Sequence, residues 1–250
     1  MRLGLAHLLR HGYLREAVIR VVVPLDPSRY LELPAVYAAL AARPGQHVLD
    51  LASPKLLAVA LAREGVDVTS VDAFGEEVER WRTLTRGLRR LRFEQADGRA
   101  LPYDAGSFDH AYSVSVLEHI PGEGDRAALA ELARVVRPGG RVLLTLPYAE
   151  RGWDEFRERS LYGAESANSD RAFFQRWYDE HRVERLLGAA PGLRLLNREV
   201  VRLQPNLNDL YNRLFPLLVP LGPLFGVLAR ERAGPGGDVI RLSLERLPQP

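Results

Sequence analysis

Three aspartates in the first half of the chain stand where a nucleoside could be held. Asp50, Asp72 and Asp97 each close a short apolar run that reads as a β-strand, over residues 47–51, 66–71 and 92–95. In a doubly wound sheet, ligands sit beyond the carboxyl ends of the strands, at the point where strand order reverses. Asp72 follows Asp50 by 22 residues, and a carboxylate there can accept both hydroxyls of a ribose. Asp97 is placed to take the amino group of an adenine. Asp50 can help hold a cationic ligand, directly or through water. One such aspartate alone reads more simply as a cap or turn residue. Three at successive strand ends read as a ligand site. Further along, His119 has the ring chemistry of a general base, with an unperturbed pKa of about 6.5. It can equally cap or pack the helix that follows. Glu118 reads as support for its loop.

The surrounding pattern supplies the elements that must position these groups. Apolar spacing predicts helices over 2–22 and 28–42, the first ended by Pro24 and Pro27. Strand–helix alternation then begins after Arg43-Pro44-Gly45. Helices are expected over 54–63, 75–89 and 125–136, and further strands over 108–114 and 141–146. Alternation of this kind implies a parallel sheet with helices on both faces. Past Pro147 the pattern predicts helices over 153–162 and 171–187, and strands over 193–203 and 238–247. Between those two strands lies an insertion, 205–237, rich in leucine and proline.

The ordered set of motifs is more specific than any one of them. His47-Val48-Leu49-Asp50-Leu51, Val71-Asp72, Ala96-Asp97, Ser107-Phe108-Asp109 and Leu117-Glu118-His119-Ile120 occur in sequence. Leu132-Ala133-Arg134-Val135-Val136-Arg137-Pro138-Gly139-Gly140 completes the set. Together they resemble class I S-adenosylmethionine-dependent methyltransferases of the small-molecule type, over about residues 46–148. The resemblance implies an α/β fold: a Rossmann-like, seven-stranded, mostly parallel sheet with helices on both faces and an N-terminal helical appendage (1–45). It implies S-adenosylmethionine as cofactor. Asp50 would lie near its methionine end, with Ala52 and Ser53 in the loop that bends around it. Asp72 and Ala73 would meet the ribose, and Asp97, Gly98 and Arg99 the adenine. Ser113 would line the methionine moiety. Glu118 and Tyr148 would stand at the acceptor, with His119 as the catalytic candidate. No metal is expected.

One departure bears on the site. The family's glycine-rich loop after the first strand is here Ala52-Ser53-Pro54-Lys55-Leu56, without a glycine. Glycine permits close backbone approach, and Pro54 also lacks a backbone donor. A methyl donor has no pyrophosphate to cradle, so Ala52 and Ser53 can still bend around it, and Lys55 can attract its carboxylate. The departure keeps a second reading open, a catalytically inactive S-adenosylmethionine-binding scaffold. A nicotinamide-dependent oxidoreductase would need a Gly-x-Gly-x-x-Gly loop, which is absent.

Composition narrows the remaining classes. The 250-residue chain has no cysteine, which excludes disulfides, thiolate metal sites and a cysteine nucleophile. Its formal net charge is +2, and Lys55 is its single lysine. The arginines over 80–92 read as a solvated face rather than a phosphate site, and no Asn/Asp-Pro-Pro-Tyr signature follows the fourth strand. A nucleic-acid acceptor is therefore not expected. The N-terminus lacks the pattern of a signal peptide, and a cytoplasmic protein is expected. Residues 214–229 carry no charge and include Pro216, Pro220 and Pro223. That stretch is too short and too broken for an ordinary membrane helix. It fits a lid over a lipophilic acceptor, a peripheral membrane contact, a core insertion or a dimer interface. The expected partner is a small-molecule or lipid-linked substrate.

Overall fold

The computed structural model describes residues 29–157, 172–203, 231–233 and 238–248. The helix expected over 2–22 and the apolar segment 214–229 lie outside them. Helix α1 (Arg29–Leu40) precedes β1 (His47–Leu51), α2 (Leu56–Arg63), β2 (Asp67–Asp72), α3 (Gly75–Leu84) and β3 (Leu91–Gln95). Then come β4 (Phe108–Val114), a 3₁₀ turn (Leu117–His119), α4 (Gly124–Val135) and β5 (Val136–Pro147). The remaining elements are β6 (Trp153–Arg157), β7 (Ala172–Trp177), α5 (Glu180–Gly188), β8 (Leu193–Leu203), β9 (Glu231–Ala233) and β10 (Val239–Arg246).

The main sheet has the order β3-β2-β1-β4-β5-β10-β8-β9. Strands β1 to β5 are parallel, and β10, β8 and β9 continue the sheet antiparallel. Seven of these strands are the expected Rossmann-like sheet, and the three-residue β9 adds an edge. Order reverses between β1 and β4, which places the switch point, and hence the ligand crevice, at the ends that carry Asp50 and Ser113.

Period-two alternation sorts each strand between two cores. Leu49, Leu51, Ala111, Val142 and Leu144 face α4 and α5 through Leu129, Leu132, Val183 and Leu186. Val48, Tyr112 and Leu143 face α1, α2 and α3 through Leu33, Val36, Leu57, Leu61 and Val78. Both faces are covered, which explains why the central strands read as nearly continuous apolar runs.

Two expected helices are corrected. Residues 153–157 and 172–177 are strands, paired antiparallel as a two-stranded sheet apart from the main one. The helix expected over 171–187 begins only at Glu180, where Asp179 caps it by accepting from the Arg182 amide at 2.9 Å. The aromatic residues of these segments stabilise a ribbon instead of a helical stripe. Trp153 stacks on Trp177 at 4.8 Å between ring centroids, and Phe156 meets Phe173 edge-on at 5.9 Å. Such cross-strand aromatic pairs are the unit of sheet stability.

Several motif residues hold the frame rather than face the crevice. Asp109 accepts from the His47 amide (2.7 Å) and from Arg137 Nε (2.7 Å), tying the start of β1 to the start of β5. Arg134 donates to the carbonyls of Leu101 (2.9 Å) and Tyr103 (2.6 Å), and Glu131 accepts from the Leu101 amide (2.7 Å). These bonds fix the loop that follows β3.

Candidate cofactor and acceptor site

Asp72 ends β2 partly exposed. Its Oδ1 accepts from the Phe74 amide at 3.1 Å, and its Oδ2 lies 3.5 Å from Lys55 Nζ. Asp97 is exposed at the end of the neighbouring strand and is gripped by Arg99, whose Nε and NH2 donate at 2.8–3.1 Å. The Arg99 hydrogen bonds hold the Asp97 carboxyl below its ordinary range. Gly98 is packed so closely that an added Cβ would meet Leu51 Cδ1 at 2.9 Å. Ala73 is exposed and offers its carbonyl to Gln95 Nε2 at 3.0 Å.

Asp50, by contrast, is fully buried. It accepts from Ser70 Oγ (2.7 Å) and the Ser53 amide (3.1 Å), with Lys55 Nζ at 3.7 Å. Burial pushes its carboxyl up, against the pull of Lys55 and the two serines. Ser53 and Ser113 are also buried, and both hydroxyls donate to the Leu51 carbonyl. The Ser53 hydroxyl also accepts from the Val114 amide at 2.9 Å. These three side chains thus lace β1 to its neighbours at the floor of the crevice. Above them the backbone is strained: Ala52 has φ 52° and Ser115 φ 49°, in the left-handed region that favours glycine. Both lie where β1 and β4 end, the kind of place where strain serves a site.

On the acceptor side, α1 brings charge to the ends of β4 and β5. Glu32 is buried and accepts from Thr145 Oγ1 (2.8 Å), Ser115 Oγ (3.2 Å) and Arg29 NH1 (2.5 Å). Glu118 is buried beside it, and its Oε2 has no hydrogen-bond partner among the described residues. Burial raises the Glu118 carboxyl to about 8, reinforced by Glu32 and opposed by Arg29 and Ser115. His119 Nδ1 lies 2.8 Å from the Phe174 carbonyl oxygen of β7. Since a carbonyl only accepts, Nδ1 carries the proton and Nε2 is the acceptor nitrogen, 3.9 Å from Glu118 Oε1. Burial lowers the His119 pKa, so the ring is neutral near pH 7. Strand β7 is itself anchored, since Arg176 pairs with Asp125 (2.5 Å) and the Tyr178 hydroxyl donates to Asp125 (2.8 Å). Tyr148, directly after β5, is half-buried, with its hydroxyl 3.5 Å from Glu180.

The structure thus gathers expected residues into two groups: Asp50, Ser53, Ser113 and, through Lys55, Asp72 at the ends of β1, β2 and β4, and Glu118 and His119 in the 3₁₀ turn after β4, while Asp97, Gly98 and Arg99 lie beyond β3 and Tyr148 beyond β5. Sequence reasoning missed Phe74, Arg29, Glu32 and Ser115. Phe74 is an exposed ring beside Asp72, and its place two residues after the ribose candidate was the available signal. Glu32 stands three residues after Arg29 on α1, a spacing that reads as an exposed ion pair, so the sequence carried no signal of its burial. Among the described residues no cluster of His, Asp or Glu has metal-site geometry, and no helix is long and apolar enough to cross a membrane.

The raised Glu118 carboxyl has a consequence for stability. Its folded pKa of about 8 exceeds an unfolded value of about 4.3, so the native state binds more protons between those limits. Stability contributed by this group falls as pH rises through that window. Glu118→Gln should flatten the decline and leave the variant more stable than the parent above pH 8. Urea melts at pH 5, 7 and 9 check this, and parallel pH curves for the two proteins would contradict it.

Comparison with known proteins agrees with this fold. Residues 49–144 match the family model described as "Methyltransferase domain". A demethylmenaquinone methyltransferase of Clavibacter sepedonicus is 30% identical over 171 residues, covering 62% of this chain and 69% of that protein. An O-methyltransferase of Pyrenophora dematioidea is 32% identical over 130 residues, 48% of each chain. The chain spans only 33% and 48% of the length of the first curated relatives it matches. Among solved structures, the 1,6-didemethyltoxoflavin N1-methyltransferase of Burkholderia thailandensis shares the fold. It has a TM-score of 0.59 and 18% identity, over 98% of this chain and 88% of that one. The chain belongs to the class I S-adenosylmethionine-dependent methyltransferases.

Proposed function

We propose that this protein transfers a methyl group from S-adenosylmethionine to an oxygen of a small-molecule or lipid-linked acceptor. The observation that carries the reading is the pair of carboxylates at adjacent strand ends, Asp72 and Asp97, beside the exposed ring of Phe74. The donor set fits the cofactor: Asp72 for ribose hydroxyls, Phe74 for stacking a purine, Asp97 with Gly98 and Arg99 for its amino edge. Asp50, Ala52, Ser53 and Ser113 shape the floor under its methionine portion. When bound, the cofactor supplies an electrophilic methyl on a sulfonium that leaves as a neutral thioether.

The chain's own contribution is then positioning and proton management. His119 Nε2 is the candidate to receive the acceptor's hydroxyl proton, its tautomer set by the Phe174 carbonyl. Glu118 holds a proton near neutral pH and can donate a hydrogen bond to the acceptor, and Tyr148, directly after β5, is the candidate for a further acceptor contact. The activities of the two relatives, an O-methyltransferase and a demethylmenaquinone methyltransferase, support a small organic acceptor, and the uncharged stretch 214–229 supports a lipophilic one with peripheral membrane contact. Residues 46–250 would form the methyltransferase domain, to which α1 of the N-terminal region adds Glu32.

Incubation with methyl-labelled cofactor and a panel of hydroxylated aromatics and quinols tests the reading. Label should appear in an organic product together with stoichiometric S-adenosylhomocysteine. His119→Ala should lower that turnover at least tenfold with cofactor affinity unchanged. Cofactor binding without turnover of any member of a broad panel would instead favour the inactive scaffold.

A further inference from the structure

The only lysine of the chain stands beside two of the candidate cofactor-site aspartates, and every other Lys or Arg position is an arginine. Lys55 stands at the N-cap of α2 and makes no side-chain cap bond there. A cation is the wrong charge for the positive end of a helix dipole, and lysine lacks the acceptor oxygen that capping needs. Its reason for being there is the pair of carboxylates. Nζ lies 3.7 Å from Asp50 Oδ2 and 3.5 Å from Asp72 Oδ2, with the side chain 6% exposed. It has three donors and no hydrogen-bond partner among the described residues, so it acts as a point charge shared between two strand ends. An arginine fork would need more room and planar partners. The loop has lost the glycines that would bring backbone amides close, and Pro54 carries no N–H at all.

We propose that Lys55 replaces the glycine-rich loop as a positioning residue. Its ammonium sets the Asp72 carboxylate for the cofactor's ribose, with Asp50 as the buried counter-charge behind it. Asp50 cannot turn outward, because Ser70 and Ser53 hold it. It therefore fixes the ammonium, and the ammonium fixes Asp72. This rests on the cofactor reading of the site. It goes further by making cofactor affinity depend on a residue that acts through Asp72 from beneath it.

Calorimetric titration with S-adenosylhomocysteine tests this in a cycle of four proteins: the parent, Lys55→Met, Asp72→Ala and the double variant. Lys55→Met should weaken binding at least tenfold in the parent background and less than twofold once Asp72 is gone, since residues acting as a unit are non-additive. Lys55→Gln, which keeps polarity but no charge, should behave like Lys55→Met and serves if that variant does not fold. Equal affinity of the parent and both lysine variants would overturn the inference and leave the cofactor reading intact. So would an additive loss in the double variant, which would assign Lys55 to packing alone. A parent protein that binds no S-adenosylhomocysteine would overturn both.

Discussion

Asp72→Ala should weaken S-adenosylhomocysteine binding ten- to a hundredfold while the fold persists. A carboxylate that accepts two ribose hydroxyls makes charge-assisted hydrogen bonds, together worth about 1.5–3 kcal/mol, which corresponds to roughly that range of affinity. Inside the protein, Asp72 gives up little. It accepts one amide, that of Phe74, and faces Lys55 without a short hydrogen bond. The side chain is partly exposed, so its removal leaves no dry cavity. The loss should thus appear in titration calorimetry and not in the melting temperature of the free protein. Unchanged affinity in the folded variant would reduce Asp72 to a turn residue. A large drop in melting temperature would assign it to the frame.

The second large effect concerns the frame. Gly140→Ala should cost about 3 kcal/mol or more of stability, a fall in melting temperature of roughly 6–12 °C for a chain of this size. An alanine Cβ at 140 would overlap the Asp109 carbonyl oxygen, approach Val136 Cγ1 to 2.5 Å and reach the Arg137 carbonyl at 2.9 Å. Two of those three neighbours are backbone and cannot rotate away. The adjacent Gly139 is an internal control. It has φ 76°, but the only atom within 4 Å of its added Cβ is the flexible Arg137 NH1, at 4.0 Å. Gly139→Ala should therefore cost only about 1–2 kcal/mol, the price of a left-handed residue. Thermal melts of the two variants decide the matter, and equal losses would contradict the close-approach argument.

These two sites show which parts of the architecture the amino-acid pattern carries. Buried parallel strands announce themselves as apolar runs, and β1, β2 and β3 each carry an acidic residue within two positions of their carboxyl ends, Asp50, Asp72 and Asp97. The Arg137–Gly140 stretch that opens β5 is legible because a side chain at Gly140 would meet the Asp109 carbonyl and Gly139 takes a positive φ. The β6–β7 ribbon was not legible. Residues 153–157 and 172–177 mix aromatics with charges in a spacing that suits a helix stripe and a half-exposed strand equally. The choice between them is made by pairing across a separation of some twenty residues, as between Trp153 and Trp177. Glu32 and Arg29 were hidden for a different reason. A glutamate three residues from an arginine on a helix reads as a solvated ion pair, and only the docking of α1 on β4 and β5 brings it against Ser115 and Thr145. Aspartates at strand ends could be recognised as a set and given separate roles, yet their differing burial could not be read. Burial separates Asp50, tied into the sheet by Ser53 and Ser70, from Asp72 and Asp97 at its rim.

The crevice residues and the family to which the chain belongs converge on one ligand, and its binding is the claim on which the rest depends. Titration of the purified protein with S-adenosylhomocysteine, followed by calorimetry and by thermal melting, tests it directly. Saturable one-to-one binding is expected, with a melting temperature that climbs with ligand concentration, because a ligand bound only by the folded state stabilises it by mass action. Absence of both heat and melting shift at millimolar ligand would contradict the assignment of Asp72, Asp97 and Phe74 to a cofactor site.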